Sequence, residues 1–202
     1  EALWVHQWHN VVDLDLLQRV IRSPNADARA AGARVISYWR ERVPTALDDL
    51  ARLAADESPR VRLQAARAAS FFADVRAADV ALIAARRGVD YYLDYTIGET
   101  LRQLRPLWTR SLGEGRAFAG GDPASTRYLL RTLSTEDVLK LPRSPEVMEN
   151  LLGRGDVTDA ARAEVLAGLS KVRGQSPTQV LLAAGCCWPR GRKTSRPNAP
   201  RC

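Results

Sequence analysis

The chain has 202 residues, enough to bury a substantial core as one domain or two small ones. Its formal net charge of +7 suggests a nucleic-acid partner, but +5 of it lies in residues 186–202, which contain no acid. The other 185 residues carry +2, so the charge balance argues against a basic nucleic-acid-binding domain. No apolar run approaches the ~20 residues of a membrane-spanning helix.

The first helices are predicted near the N-terminus. The chain begins with Glu1, and we expect it to be a segment of a longer protein. Within residues 1–12, one helical face is formed by Leu3, Trp4, Trp8, Val11 and Val12. A short helix is predicted from Asp13 to Arg22, with these residues on one side: Leu14, Leu17 and Ile21.

Two copies of one Ala-rich unit follow, each opened by a Ser-Pro pair. The pairs Ser23-Pro24 and Ser58-Pro59 stand 35 residues apart. A serine hydroxyl accepts a hydrogen bond from a first-turn amide, and proline suits the first helical position. The first copy predicts a helix reaching about Arg42, with an inward stripe of Ala28, Ala31, Val35 and Trp39.

Helices are also predicted over 45–55 and 77–87, and from Asp90 to about Leu112, where Pro106 should kink or split the helix. The glycine-rich stretch 113–123 is predicted to be a loop or an insertion in the repeat. Ser134 begins a capping-box pattern, Ser144-Pro145 and Ser176-Pro177 are further helix starts, and Thr158 or Asp156 should cap another helix.

These patterns predict an all-α fold. Short paired helices at a period of roughly 33–47 residues indicate an irregular α-solenoid of HEAT-like repeats over residues 1–184. Residues 185–202 are predicted to be a basic, disordered tail, and they hold all three cysteines. Cys186-Cys187 has no metal-ligand spacing.

Several strings together resemble a known family. They are 1–7, 9–13, 68–72, 90–95 and 139–143. As a set they are similar to the HEAT-repeat region of planctomycete-type membrane-bound dehydrogenases, the haem-binding CxxCH multidomain proteins. The resemblance covers about residues 1–184, and residues 185–202 depart from the family pattern. We interpret them as a frame-altered or artefactual end in preference to a divergent native tail.

The resemblance implies a non-catalytic scaffold in an extracytoplasmic protein. It would link a sugar-dehydrogenase-like propeller to a cytochrome c module, with haem c in the neighbouring module and no cofactor in this chain. The expected partners are other domains of the parent protein or separate proteins, without nucleic acid. The alternative is a stand-alone HEAT-type adaptor with no redox role.

Two groups of residues are candidate sites. Tyr91, Tyr92 and Tyr95, with Asp90 and Asp94, offer flat rings with polar tips to a carbohydrate or protein; the favoured interpretation is that they pack between adjacent repeats and cap the helix. Trp4 and Trp8 are candidates for the same interaction surface. Near them, His6 and His9 lie three residues apart, with Asp13 as the best available third metal ligand; packing beside the tryptophans or contact with an upstream domain is favoured.

Arg34 and Arg67 recur 33 residues apart in the two Ser-Pro units. We expect these arginines to cover the outer layer or pair with acids of the next turn, in preference to forming an anion-binding ladder. No phosphate loop, nucleophile elbow or catalytic triad is present, so the sequence predicts no enzyme site.

Overall fold

The fold is built from α-helices throughout the part of the chain that the structure describes. The structure is a computed structural model, and it describes residues 1–183. Within that range there are thirteen α-helices and one 3-10 helix, and no residue lies in a β-strand. The predicted all-α class is confirmed. The predicted tail at 185–202, including Cys186 and Cys187, lies outside the described residues.

The chain divides into two compact units. The first consists of Glu1–Thr132 with Lys140–Pro142, and the second of Leu133–Leu139 and the described residues that follow Pro142. The helices of the first unit are α1 (Ala2–Trp8), α2 (Leu14–Ile21), α3 (Ala26–Tyr38), α4 (Ala46–Ala54), α5 (Pro59–Ala69), α6 (Arg76–Ala84), α7 (Tyr91–Gln103), α8 (Arg105–Gly113) and α9 (Pro123–Arg131). Those of the second are α10 (Thr135–Leu139), α11 (Pro145–Leu152), α12 (Asp159–Arg173) and α13 (Pro177–Ala183).

In the first unit, α2 to α7 stack as three helix pairs. Helix α2 packs on α3, α4 on α5, and α6 on α7. The second helices of the pairs form one layer, because α3 packs against α5 and α5 against α7. Their caps, Asn25, Ser58 and Asp90, are 33 and 32 residues apart. This regular stack is the solenoid-like arrangement that the repeated units predict.

Small side chains allow the stacked helices to approach closely. Ala33, Ala65 and Ala66 are fully buried between the layers. The closest approach is at Gly32, where an added Cβ would lie only 2.5 Å from a side-chain methyl of Ile21. Helices α2 and α3 therefore need glycine at this position, since a methyl group would overlap the neighbouring helix.

The Ser-Pro helix starts are correct in position at three of the four sites. The Ser144 hydroxyl accepts from the Val147 amide at 3.3 Å, and the Ser176 hydroxyl accepts from the Gln179 amide at 3.4 Å. Ser58 precedes α5 but makes no side-chain cap. The first start is wrong by two residues, because Asn25 caps α3 by accepting from the amides of residues 27 and 28. The Ser23 hydroxyl instead accepts from the Asn25 amide, which forms a turn before the helix.

The single apolar helical face predicted for residues 1–12 is wrong. Only Leu3 is buried, while Trp8 and Val11 are exposed. Helix α1 ends at Trp8, and Asn10 adopts a left-handed conformation with φ of 56°. The chain turns there, so Val11 and Val12 do not continue the helical face.

Other boundaries and stripes differ in detail from the predictions. Helix α3 ends at Tyr38 and not near Arg42. As expected, the segment containing Pro106 is split, with α7 ending before Leu104 and α8 beginning after it. Three residues expected to face inward are half-buried or exposed: Leu14, Ala28 and Ala31.

The glycine-rich stretch 113–123 contains a 3-10 helix at Ala119–Gly121 and is held against α6. Phe118 is fully buried. The Asp79 carboxylate on α6 accepts from the Arg116 guanidinium and from the Ala119 amide, both at 2.7 Å. These contacts fix the path of the connection to α9.

The second unit is a smaller packing of α11 on α12 and of α12 on α13. Its core is formed by Val147, Leu151, Val165 and Leu169. Two caps set the helix starts as predicted. The Ser134 hydroxyl accepts from the Asp137 amide at 3.2 Å, and Thr158, one of the two proposed caps, accepts from Ala161.

Candidate functional site

The best candidate for an interaction surface lies on the second helices of the first two pairs. Counting from each helix cap, equivalent positions of α3 and α5 present exposed or half-buried side chains. On α3 these are Asp27, Ala31, Arg34 and Tyr38, and on and just after α5 they are Arg60, Gln64, Arg67 and Phe71. We call these eight residues the α3–α5 face. The spacing of four, three and four residues keeps each set on one side of its helix.

A cavity of about 150 Å³ opens on this face between α3 and α5. Its walls include Arg34, Tyr38 and Arg40 from one side and Arg67 and Phe71 from the other. Tyr38 and Phe71, at equivalent positions of the two helices, are 53% and 49% exposed and stand side by side on this cavity. The cavity is therefore lined by two rings and three guanidinium groups.

The cations of this cavity have few partners. Within residues 1–183, no carboxylate lies within ion-pair distance of Arg34 or Arg67. Arg34 stacks on the Trp4 ring, with the guanidinium carbon 5.5 Å from the ring centroid. Arg40 lies 3.6 Å from Glu41 and donates to the Ser37 carbonyl. Of the two expected arrangements, pairing of Arg34 and Arg67 with acids of the next turn is therefore wrong, whereas both side chains are exposed on the outer side of their helices, which agrees with the other.

A larger cavity of about 610 Å³ adjoins the first one and shares Arg34 and Gln64 with it. Trp4, Leu16 and Val20 contribute its apolar wall. Arg60 and Asp27 at its edge neutralise each other at 2.8 Å. The face thus has an apolar, neutral end near α1 and a positively charged end between Tyr38 and Phe71.

The predicted tyrosine cluster stands at the start of α7. Tyr91, Tyr92 and Tyr95 are 78%, 71% and 62% exposed, so they do not pack between repeats as favoured above. Tyr91 and Tyr92 make an edge-to-face contact, with centroids 5.5 Å apart. Asp90 caps the helix by accepting from the amide of residue 93, as expected.

Asp94 connects the tyrosine cluster on α7 to Tyr128 on α9, a tyrosine that is partly buried. Its carboxylate accepts from the Tyr128 hydroxyl at 3.0 Å. Burial and this hydrogen bond raise the pKa of Tyr128 to about 12, because both favour the neutral phenol. Of the predicted tryptophans, Trp4 joins the α3–α5 face through Arg34, whereas Trp8 is 87% exposed.

The two histidines are not brought into a metal site by the residues that the structure describes. His6 lies 3.8 Å from Asp13, and its Nδ1 is 2.9 Å from the Ala2 carbonyl oxygen. His9 is exposed. Across residues 1–183, no group of three or more histidine, cysteine or acidic side chains has an arrangement that would hold a metal ion.

A second set of arginines, which the sequence reasoning missed, joins the helix pairs. Arg29 and Arg62 each lie four residues after a helix cap and 33 residues apart. Arg29 donates to the Ser23 and Pro24 carbonyls behind it and makes a two-pronged ion pair with Asp56 in the next pair, at 2.7 and 2.9 Å. These bonds tie one connecting turn to the next.

Arg62 repeats this arrangement one helix pair later. It is 5% exposed and donates to four carbonyls, those of Asp56 and Glu57 behind it and those of Arg87 and Gly88 ahead. The 33-residue recurrence of arginine just after a helix cap was the available signal in the sequence.

The charge state of this link is set by its geometry. Burial opposes ionisation of Asp56, but hydrogen bonds from Arg29 and the Ser58 amide outweigh it and lower the pKa of Asp56. The Asp56 contact in turn raises the pKa of Arg29. Both groups therefore stay charged near neutral pH, and the link ties α3 to the turn that precedes α5.

Within residues 1–183, no helix is both long and apolar enough to span a bilayer. No curated protein and no solved structure matches the chain. Part of the chain matches the family model for HEAT repeats, and this match gives no link to dehydrogenases or haem proteins. The matched region begins at the first residue of α2 and ends one residue before the end of α7. Residues 14–102, the three stacked helix pairs that carry the α3–α5 face, are thus similar to HEAT repeats.

Proposed function

We propose that this chain is a non-catalytic scaffold that binds a protein partner through the α3–α5 face. One observation carries the proposal: Tyr38 and Phe71, at equivalent positions of two repeats, expose large rings on either side of a cavity. Helical repeats leave such a face open because each pair packs only on its neighbours. HEAT repeats commonly serve protein–protein interaction, which agrees with this assignment.

The proposal is tested by selecting a random peptide library displayed on phage against the full chain. Binding of the enriched peptides is then measured with the Tyr38→Ala and Phe71→Ala variants. Each should weaken binding by about tenfold, since a buried aromatic anchor contributes strongly to an interface. The matched control is Tyr91→Ala, which removes an exposed ring from α7. Failure to enrich any peptide that depends on Tyr38 or Phe71 would refute the proposal.

We further propose that the scaffold operates inside a larger extracytoplasmic redox protein. It would separate a sugar-dehydrogenase-like propeller from a cytochrome c module, with haem c bound in that module and no cofactor bound here. The support is the set of family-like strings, among them 90–95 and 139–143. A haem stain of the full-length product, together with its encoded flanking domains, tests this. A product with neither module would leave a stand-alone adaptor.

A further inference from the structure

The charged end of the α3–α5 face has the chemistry of a carboxylate-binding groove. Arg34 and Arg67 occupy equivalent positions on neighbouring helices and lack carboxylate partners within residues 1–183. Both side chains line the cavity that opens between α3 and α5. Arginine favours planar, two-pronged recognition of carboxylates. An anionic group entering between the helices would meet both cations.

The cavity beside these cations fits one bulky apolar side chain. A void of about 150 Å³ is the size that holds a benzene ring in a protein core. The rings of Tyr38 and Phe71 in its wall are about half exposed, so a ligand side chain that covered them would bury apolar surface and stabilise the complex. The ligand that matches both features carries an apolar anchor beside negative charge.

Gln64 adds a polar side chain to the wall that the two cavities share. Trp4 supports the same end of the groove by holding the Arg34 guanidinium against its ring.

The charge pattern favours an acidic peptide over nucleic acid. In the third pair, the position equivalent to Arg34 and Arg67 is Glu99, which pairs with Arg102. In the first two pairs, Arg60 is neutralised by Asp27. The positive stretch thus covers one groove, whereas tight binding along a nucleic-acid backbone uses many phosphate contacts.

We propose that the groove between α3 and α5 binds an acidic peptide segment of a partner protein. Arg34 and Arg67 bind its carboxylates, and the cavity between Tyr38 and Phe71 takes one aromatic or leucine side chain next to them. This assignment rests on the proposed function, and it specifies the partner chemistry that the face selects.

The test uses a fluorescein-labelled peptide with a central phenylalanine flanked by glutamates, titrated against the full chain by fluorescence anisotropy. Comparison peptides replace the glutamates with glutamine, the glutamates with lysine, or the phenylalanine with alanine. We expect each replacement to weaken binding by about tenfold or more. Arg34→Gln and Arg67→Gln should each weaken binding of the parent peptide by a similar factor.

The matched control is Arg110→Gln, which removes an arginine that is 82% exposed on α8. It should leave the Kd within about twofold, as surface charge outside a site has little effect on binding. Circular dichroism of all variants checks that the helices are intact.

Three results would overturn the proposal. The first is equal binding of the glutamate, glutamine and lysine peptides, and the second is unchanged binding by the Arg34 and Arg67 variants. The third is tighter, Arg67-dependent binding of a labelled single-stranded oligonucleotide, which would assign the groove to nucleic acid. If selected peptides need Tyr38 and Phe71 but show no acidic preference, this inference fails while the proposed function stands.

Discussion

The stacked pairs α2–α7 and the smaller α10–α13 unit share one local feature. In each, an arginine four residues after a helix cap donates to carbonyls of the preceding turn: Arg29, Arg62 and Arg162. In the stack, Arg29 and Arg62 also reach forward to the turn of the next pair. There the local capping contact is also a joint between helix pairs.

This comparison explains why the stack presents a fixed surface. Arg62 connects turns that are 25 or more residues apart in the chain, which side-chain contacts within one helix do not do. The Arg29–Asp56 joint likewise ties α3 to the turn before α5, so little ordering of the groove is needed when a ligand binds. Substitutions at these joints test whether they fix the stacked pairs.

The largest effect is expected for Arg62→Ala. The change deletes a buried side chain and leaves four carbonyls without their donor. We expect the free energy of unfolding to fall by about 3–4 kcal/mol, since hydrogen bonds from charged groups contribute more than neutral ones. Urea unfolding followed by circular dichroism measures this loss.

The matched control for that variant is Arg60→Ala on the same helix. Arg60 is 70% exposed, and its ion pair with Asp27 lies at the surface. The loss should stay below about 1 kcal/mol. Equal losses for the two variants would show that Arg62 is an ordinary surface arginine and not a joint.

The Arg29–Asp56 ion pair should give the next largest effect. Asp56→Asn removes the charge that holds a two-pronged contact between pairs. A double-mutant cycle with Arg29→Gln should give a coupling of about 1–2 kcal/mol at pH 7. A coupling near zero would mean that the pair does not link the repeats.

The same ion pair predicts a pH dependence. Because the pKa of Asp56 is lowered in the folded protein, its stabilisation is complete above the unfolded value of about 3.9. It is lost as pH falls through the folded value, when the carboxylate takes up a proton. The stability difference between wild type and Asp56→Asn should therefore shrink below about pH 4, and acid-unfolding curves of the two proteins measure it.

Much of the fold is encoded by short-range patterns that the sequence shows. Helix spacing predicted the stacked pairs, and Pro106 predicted the break between α7 and α8. The capping contacts were harder, since Asn25 and Ser23 compete for the start of α3 and only the folded turn decides between them.

The site was the least predictable part. Whether Arg34 and Arg67 face acids or solvent depends on which residues the neighbouring helix presents, and this is a long-range property. The exposure of Tyr91 and Tyr92 depends likewise on the path of the chain around α7. The 33-residue recurrence of Arg29 and Arg62 was visible, but their function as joints required the positions of the turns.

Glycine-to-alanine changes compare the packing of the two units directly. At Gly32 an added methyl group overlaps Ile21 in α2, so Gly32→Ala should cost about 1–3 kcal/mol. At Gly168 in α12 the nearest atom is the flexible Met148 sulfur at 3.1 Å, so the helix preference for alanine should offset the contact. At the control position Gly98 an added methyl group meets open space, so Gly98→Ala should stabilise by up to about 1 kcal/mol. Thermal unfolding of the three variants ranks them.

The smallest effects concern the Ser-Pro helix starts, where the two units differ in mechanism. Ser144 accepts a hydrogen bond from the Val147 amide in the second unit, so Ser144→Ala should cost about 1 kcal/mol. Ser58 makes no such bond; its amide donates to the Asp56 carboxylate, and Arg62 donates to the Asp56 carbonyl in the same turn. Ser58→Ala should therefore be nearly neutral, although the Ser-Pro sequence is the same. Chemical unfolding of both variants decides this, and equal losses would show that the Ser58 hydroxyl does cap α5.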